Sequence, residues 1–542
     1  MTEQPIRILY IDLSSQSFEV KVHEDLSSWL GGVGVGTALL SENLDKKPFV
    51  MARGPFCGVF PGCSQTFASF ISPLSRNLGE SHVGGDLGLN LSRAGLEGIV
   101  VLGKSKKPIV LEIKNEEVEF VSAEDFWARS PAQTAKELLA VWDSEEASVL
   151  TIGPAAEKGV RFSNVYVDGE HYLDMGLGTV WGKAKLKGMV ILGDREVLKS
   201  SSEEFKKLRR DLEEKLSDPS PEGLKFKIRE RQNVIWELLE KSRAVIGENF
   251  RKQVSLSPSF AREFFDAAGV RSCSACPLEC SPYSCGVLVS LGPLLGLEKK
   301  EEILSLLTLA HDLGIDPVSL GFSLAWLTEK EGWEFGDFES YKSLTLALSE
   351  REEDWAKKLS LGLLSAASGK ERNSALVFSG TLGLPFFCGY LSILSRALSP
   401  GILGVEACLL DFSFLEKEVS DEEKVRALIS EEERMLLLFS LSGCPLLSKV
   451  YDLPTTFSGL ESLGMDWSHE RLENFSRAVY NLRWEIKERL GFSWDEIEFP
   501  ERVFEVRSAT GRLEKEKLMK MVGMYKENVK TQNAKLKPTT KI

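Results

Sequence analysis

The chain has 542 residues and no excess of positive charge: 66 lysines and arginines face 80 acids, a net charge of −14. That balance excludes a general nucleic-acid binder. No secretory leader is expected either, because Met1-Thr2-Glu3-Gln4-Pro5 offers neither a basic start nor an apolar stretch. The expected compartment is therefore the reducing cytoplasm, where nine cysteines would be free or metal-bound. No membrane span is expected. Ser374 to Ser395 carries no charge, but Gly380, Gly383, Pro385, Gly389 and several serines interrupt it, so it reads as buried core beside a cavity. No internal repeat stands out. Apolar residues make up 43%, enough to bury real cores, so disorder is excluded too.

What is present starts with Cys273-Ser274-Ala275-Cys276-Pro277-Leu278-Glu279-Cys280, three thiols spaced C-x2-C-x3-C. Thiolates this close converge only if the backbone wraps around something, and soft sulfur ligands favour zinc or an iron–sulfur cluster. A structural zinc site pairs one C-x2-C with a second, or with two histidines, and neither lies nearby. Three close cysteines with a distant fourth suit [4Fe–4S] ligation. The distant candidate is Cys444, in Leu441-Ser442-Gly443-Cys444-Pro445, and Cys285 is a nearer rival. Zinc, unrelated buried thiols and a disulfide stay open on spacing alone.

The first two hundred residues read as strand and turn. Ile6 to Leu13 and Phe18 to His23 suggest a hairpin across Ser14-Ser15-Gln16-Ser17. Short strands are expected at Thr66 to Ile71, Ile99 to Leu102, Ile109 to Ile113 and Leu186 to Leu192. Two glycine-rich stretches, Gly31 to Gly36 and Gly176 to Gly182, could approach an anionic ligand; helix packing and turn chemistry explain them better. A boundary is expected between Leu198 and Glu222, where charge density jumps and Asp218-Pro219-Ser220-Pro221 breaks the pattern. Beyond it the period is helical: Glu301 to Leu313, Pro317 to Glu329, Ser420 to Ser440 and Ser468 to Leu490. Asp312-Leu313-Gly314-Ile315-Asp316 reads as a helix end with a glycine stop and a capping acid. Lysine-rich 515–541 reads as a solvated tail. The fold class is α+β: a β-rich N-terminal domain (1–205), a helical domain carrying the cysteine loop (206–385) and a C-terminal helical domain with Cys444 (386–542).

Taken in order, these segments resemble the tungsten-containing aldehyde:ferredoxin oxidoreductase family, as a divergent member. The likeness runs through Ile11-Asp12-Leu13, Gly31-Gly32, Gly54-Pro55, Ser72-Pro73-Leu74, Gly84-Gly85, Ala94-Gly95 and Gly103-Lys104. It continues in Ile152-Gly153-Pro154-Ala155, Val160-Arg161-Phe162, Gly178 with Gly182, Leu186-Lys187, Tyr480-Asn481-Leu482 and Phe499-Pro500-Glu501-Arg502. The resemblance implies a β-rich base under two helical domains, a tungsten (or molybdenum) ion held by two pterins, and a [4Fe–4S] cluster. It assigns the cluster to Cys273, Cys276, Cys280 and Cys444, choosing Cys444 over Cys285. It also implies cofactor contacts at Gly84, Gly85 and Asp316.

Five positions depart from the family. Gln65 and Asp174 stand where it has arginines, His82 where it has asparagine, and His311 and Phe439 where it has acids. A glutamate pair is replaced by Leu294-Leu295. Phenylalanine offers no acceptor, and an anion near phosphates is repulsive. Two functions follow as expectations. One is an oxidoreductase oxidising an aldehyde, or reducing an acid or acyl thioester, with single electrons leaving through the cluster to ferredoxin or an iron–sulfur partner subunit. The other is a paralogue that keeps the cluster, has lost or altered the tungstopterin site, and serves as an electron-transfer or structural subunit. A homo- or hetero-oligomer is compatible with both. His311 and His82 are the histidines expected beside the cavity, and no catalytic residue is nominated.

Overall fold

The computed structural model describes residues 5–142, 146–169, 171–197, 200–225, 227, 257–269, 273–274, 276–278, 280–281, 283–378, 381–382 and 388–536. Up to Leu192 the chain builds two six-stranded sheets. In the first, β1 (Ile6–Asp12), β2 (Ser17–His23), β3 (Phe49–Arg53), β4 (Thr66–Ile71), β5 (Leu78–Val83) and β6 (Gly98–Leu102) take the order β2-β1-β6-β3-β4-β5. The expected hairpin pairs Ile6 with His23 through Asp12 with Ser17, and β1 runs parallel to β6. The second sheet orders β11-β10-β9-β12-β7-β8, built from β7 (Ile109–Lys114), β8 (Glu117–Ser122), β9 (Ser148–Ile152), β10 (Val165–Val167), β11 (His171–Leu173) and β12 (Leu186–Leu192).

Strand alternation explains the stacking. Leu9, Ile11, Met51, Ile99 and Val101 share one core with Leu111, Ile113, Leu150, Met189 and Ile191 of the other sheet. The opposite face of the first sheet (Ile8, Val50, Ala52, Val100) is covered by α1 (Gly32–Glu42) through Val35, Leu39 and Leu40. Both faces being covered, β6 reads Gly-Ile-Val-Val-Leu without polar interruption.

The glycine run at 31–36 is a packing device. A Cβ on Gly32, at φ +45°, would lie 2.0 Å from the Phe439 carbonyl oxygen. This close approach is also hydrogen-bonded, with the Gly34 N–H donating to Ser440 Oγ at 3.2 Å. The 176–182 stretch is similar: it forms α2 (Leu177–Ala184), and a Cβ on Gly178 would lie 2.5 Å from the Asn164 carbonyl oxygen.

The remaining chain is mainly helical around one large core. Expected helices appear as α3 (Lys300–Leu313), α4 (Pro317–Glu331), α5 (Asp421–Ser440) and α6 (His469–Arg489). Gly314 ends α3 at φ +77°, and Asp316 caps α4, its carboxylate accepting from the Ser319 N–H at 2.7 Å. Ser420 caps α5 with Glu423 in a capping box. No helix among the described residues is long and apolar enough to cross a membrane. Residues 379–380 and 383–387 of the charge-free segment lie outside the described set; Leu376, Phe378, Leu391 and Leu394 within it are buried.

The solvated tail expected at 515–541 is corrected. Residues Lys515–Leu536 form α7, which packs on α5 and α6 with Leu518, Met521, Val522, Tyr525 and Val529 buried. These five recur at helical spacing, a stripe masked by the lysines around it.

Candidate functional site

The loop after α5 is stitched to the first sheet's turns. Ser442, at φ +67°, accepts from the Gly54 N–H through its hydroxyl (2.6 Å) and from the Gln65 N–H through its carbonyl (3.0 Å). Cys63 bridges Gly443, and the Cys444 N–H donates to the Gly62 carbonyl at 3.2 Å. Cys444 is thus fixed against the base by the backbone of three short segments.

The cysteine loop meets the same surface. The Cys276 N–H donates to the Cys273 carbonyl at 3.1 Å, a tight turn closing the C-x2-C. Gly84 makes room for it. A Cβ on Gly84 would lie 2.6 Å from Cys273 Sγ and 3.0 Å from Gln65 Nε2, and one on Gly62 would lie 3.9 Å from Cys276 Sγ. Gly85, at φ +90°, turns the chain beside Asp168 and His171.

The four thiols feel one another. Burial, then Cys273 and Cys276, pushes Cys280 up to about 12. Burial raises Cys276 to about 11, with Cys273 adding and the Leu278 N–H opposing. Cys444 lies well above its ordinary value, through burial first, then Cys280 and Cys273, and last Cys276; the Leu446 N–H opposes. Four thiolates here would repel in a poorly solvated space, so the set holds its charge only around cationic iron or another metal. Among the described residues, no three His, Cys, Asp or Glu side chains lie close enough to share a single ion. Cys285 instead opens the buried helix Cys285–Leu291.

Next to this cradle sit the departures from the family pattern. His82 Nδ1 is 3.0 Å from Gln65 Oε1, and its ring lies 4.5 Å from that of Phe439 at 33°. Burial holds His82 down to about 4, so it is neutral. The Ser81 hydroxyl donates to Asp174 at 2.7 Å; burial first, then Asp316, pushes Asp174 up to about 6. Asp316 is likewise raised by burial, and Arg396 faces both carboxylates. His311 lies 3.4 Å from the Tyr283 hydroxyl and packs edge-on to Tyr166 at 5.1 Å; burial lowers it to about 4. Asp174 escaped notice as part of a charge pair because its partner, Arg396, is 222 residues away (396 − 174).

The lining divides chemically. Four thiols on a glycine floor fit an iron–sulfur cluster. Two mutually repelling carboxylates, one guanidinium and neutral His82 and Phe439 do not fit the phosphates of a pterin pair.

The family model of the aldehyde ferredoxin oxidoreductase N-terminal domain matches residues 8–193, and that of domains 2 and 3 matches 231–531. A tungsten-containing aldehyde ferredoxin oxidoreductase of Pyrococcus furiosus is 26% identical over 354 residues, 60% of this chain and 58% of that protein. Its Pyrococcus abyssi counterpart is 27% identical over 364 residues, with the same coverage. The chain thus spans 58% of the length of these relatives. The WOR-like subunit of an aliphatic sulfonate oxidoreductase of P. furiosus is 30% identical over 233 residues, 37% of each chain. Among solved structures, the active-site complex BamBC of benzoyl coenzyme A reductase with 1,5-dienoyl-CoA superposes with a TM-score of 0.79. It does so at 18% identity, over 96% of this chain and 94% of that one, and so shares the fold.

Proposed function

Because the chain belongs to the aldehyde ferredoxin oxidoreductase family, we propose that it is an iron–sulfur electron-transfer member that has given up the tungstopterin. Cys273, Cys276, Cys280 and Cys444 hold a [4Fe–4S] cluster, which when bound passes one electron at a time. What supports this reading is that Cys280, Cys273 and Cys276 each raise Cys444 after burial and that Cys273 lies against Gly84, beside a lining unsuited to phosphates.

The protein's own residues do the rest. Gly84 lets the Cys273 thiol seat against backbone, and the Leu278 and Leu446 N–H groups turn toward Cys276 and Cys444. Hydrogen bonds to cluster sulfurs stabilise the reduced, more negative state and raise the potential. His82 and His311, both held neutral, add no charge nearby. The electron partner is ferredoxin or an iron–sulfur subunit, in line with a relative that is itself named a subunit.

Anaerobic purification, metal analysis and low-temperature EPR test the proposal. About four irons per chain, a reduced-cluster signal, and neither tungsten nor molybdenum are expected. Tungsten or molybdenum near one per chain refutes it. That result would establish the second reading, an enzyme oxidising an aldehyde or reducing an acid or acyl thioester, which Asp316 and the tungsten-containing relatives favour. Zinc without iron removes both.

A further inference from the structure

A second site lies away from the cysteines, where four elements bring cations together. Arg161 follows the helix Pro154–Glu157; its N–H donates to the Ser360 carbonyl at 2.8 Å and its guanidinium to the Leu361 carbonyl at 3.4 Å. Arg351 caps the helix Phe338–Glu350 and donates to the Lys158 carbonyl; its guanidinium lies 2.9 Å from where a Cβ on Gly159 would be. Lys183 comes from the last turn of α2, and Arg76 from the turn between β4 and β5.

Among the described residues none of these four has a carboxylate within ion-pair distance, whereas neighbouring Lys158 is neutralised by Glu350. They repel one another. Arg161 is lowered by burial first, then by Arg76 and Arg351; Lys183 by burial, then by Arg161 and Arg351. Arg351 Nε is buried without a partner. In a chain of net charge −14, these four cations form a local positive patch that an anion would neutralise, and backbone carbonyls hold two of them, Arg161 and Arg351, in place.

One member of the cluster, Arg76, also lines a groove. Leu361, which Arg161 touches, shares a small recess with Leu364, and Leu364 and Arg76 together line a groove of about 640 Å³ that also presents Asn373, Phe492, Glu496 and Glu498. That volume suits a small organic molecule.

We propose that Arg76, Arg161, Lys183 and Arg351 bind the phosphates of an organic di- or triphosphate of nucleotide size, whose uncharged body lies in the groove past Leu364. Guanidinium forks suit phosphate oxygens, and a groove with Phe492 as an apolar wall, the amides of Asn77 and Asn373 and the carboxylates of Glu496 and Glu498 suits a heterocycle that bears amino donors. This is independent of the cluster reading.

Calorimetric titration of the full-length protein with pyrophosphate, ATP and adenosine tests it. ATP is expected to bind more tightly than pyrophosphate, adenosine weakly, and both anions less well as salt rises. Lys183→Gln with Arg351→Gln should weaken both anions by about tenfold or more. Leu364→Asn, which removes the apolar wall without adding charge, should weaken ATP and leave pyrophosphate unchanged. Arg351→Lys, which keeps the charge, should retain partial binding and controls for folding. Absence of anion binding by the unmodified protein, or affinities unaltered by the double variant, overturns the site. ATP no tighter than pyrophosphate overturns the groove's role.

Discussion

Arg483→Met should be the most damaging substitution outside the cysteines. Arg483 on α6 holds Glu80 on β5 by two parallel bonds, 2.7 and 2.6 Å, and reaches Ser399 Oγ at 3.1 Å. The side chains are 1% and 2% exposed, so neither charge has water to fall back on. Removing one partner of such a pair costs about 3–5 kcal/mol, because the other is left buried and alone. A neighbouring charge adjusts the sum. Lys487, pushed down to about 7 by burial first and then by Arg483, would regain its proton more readily and face the unpaired Glu80. The loss should therefore fall toward the lower half of that range. Urea unfolding should show the single variant destabilised and Glu80→Met/Arg483→Met largely restored, since both charges then leave together. Because β5 runs into Gly84, iron retention should follow the same order. A single variant losing under about 1 kcal/mol, or a double variant no better than the single, would refute the reasoning.

Gly84→Ala places a methyl 2.6 Å from Cys273 Sγ, so the thiol must retreat by about 1 Å and bound iron should roughly halve with the fold intact. Cys444→Ser should abolish the reduced-cluster EPR signal, whereas Cys285→Ser should leave it; a signal that survives Cys444→Ser removes that residue from the ligand set. Tyr525→Phe strips Glu432 of the hydroxyl that donates to it and should cost about 1–3 kcal/mol, read as earlier release of α7 in urea. Glu432 is pushed up to about 7, chiefly by burial, so the fold keeps a proton that the unfolded chain releases near 4.5. Its contribution is fully present below pH 4.5 and fades as pH rises to about 7. Glu432→Gln should flatten that part of the stability profile, and an unchanged slope would count against the assignment.

Much of the fold was legible because its causes are local. β-favouring runs marked β1 and β2, the Asp316 cap marked a helix start, and Gly314 marked a stop. Spacing also declared the Cys273–Cys276–Cys280 trio. The amphipathic stripe of α7 was equally local, but its lysines disguised it.

Other features depend on residues far apart in sequence. No spacing rule selects Cys444 over Cys285; family likeness selected it, and the bonds from Ser442 and Cys444 fix its loop on the base. The facing of Asp174, Asp316 and Arg396, and the meeting of Arg76, Arg161, Lys183 and Arg351, likewise arise only when sheets and helices dock. Propensity and capping act within a turn or two of the backbone, and so are written in the chain. Which charges and thiols share a space is decided by packing, because burial and Coulomb energy depend on distance through space and not along the polypeptide.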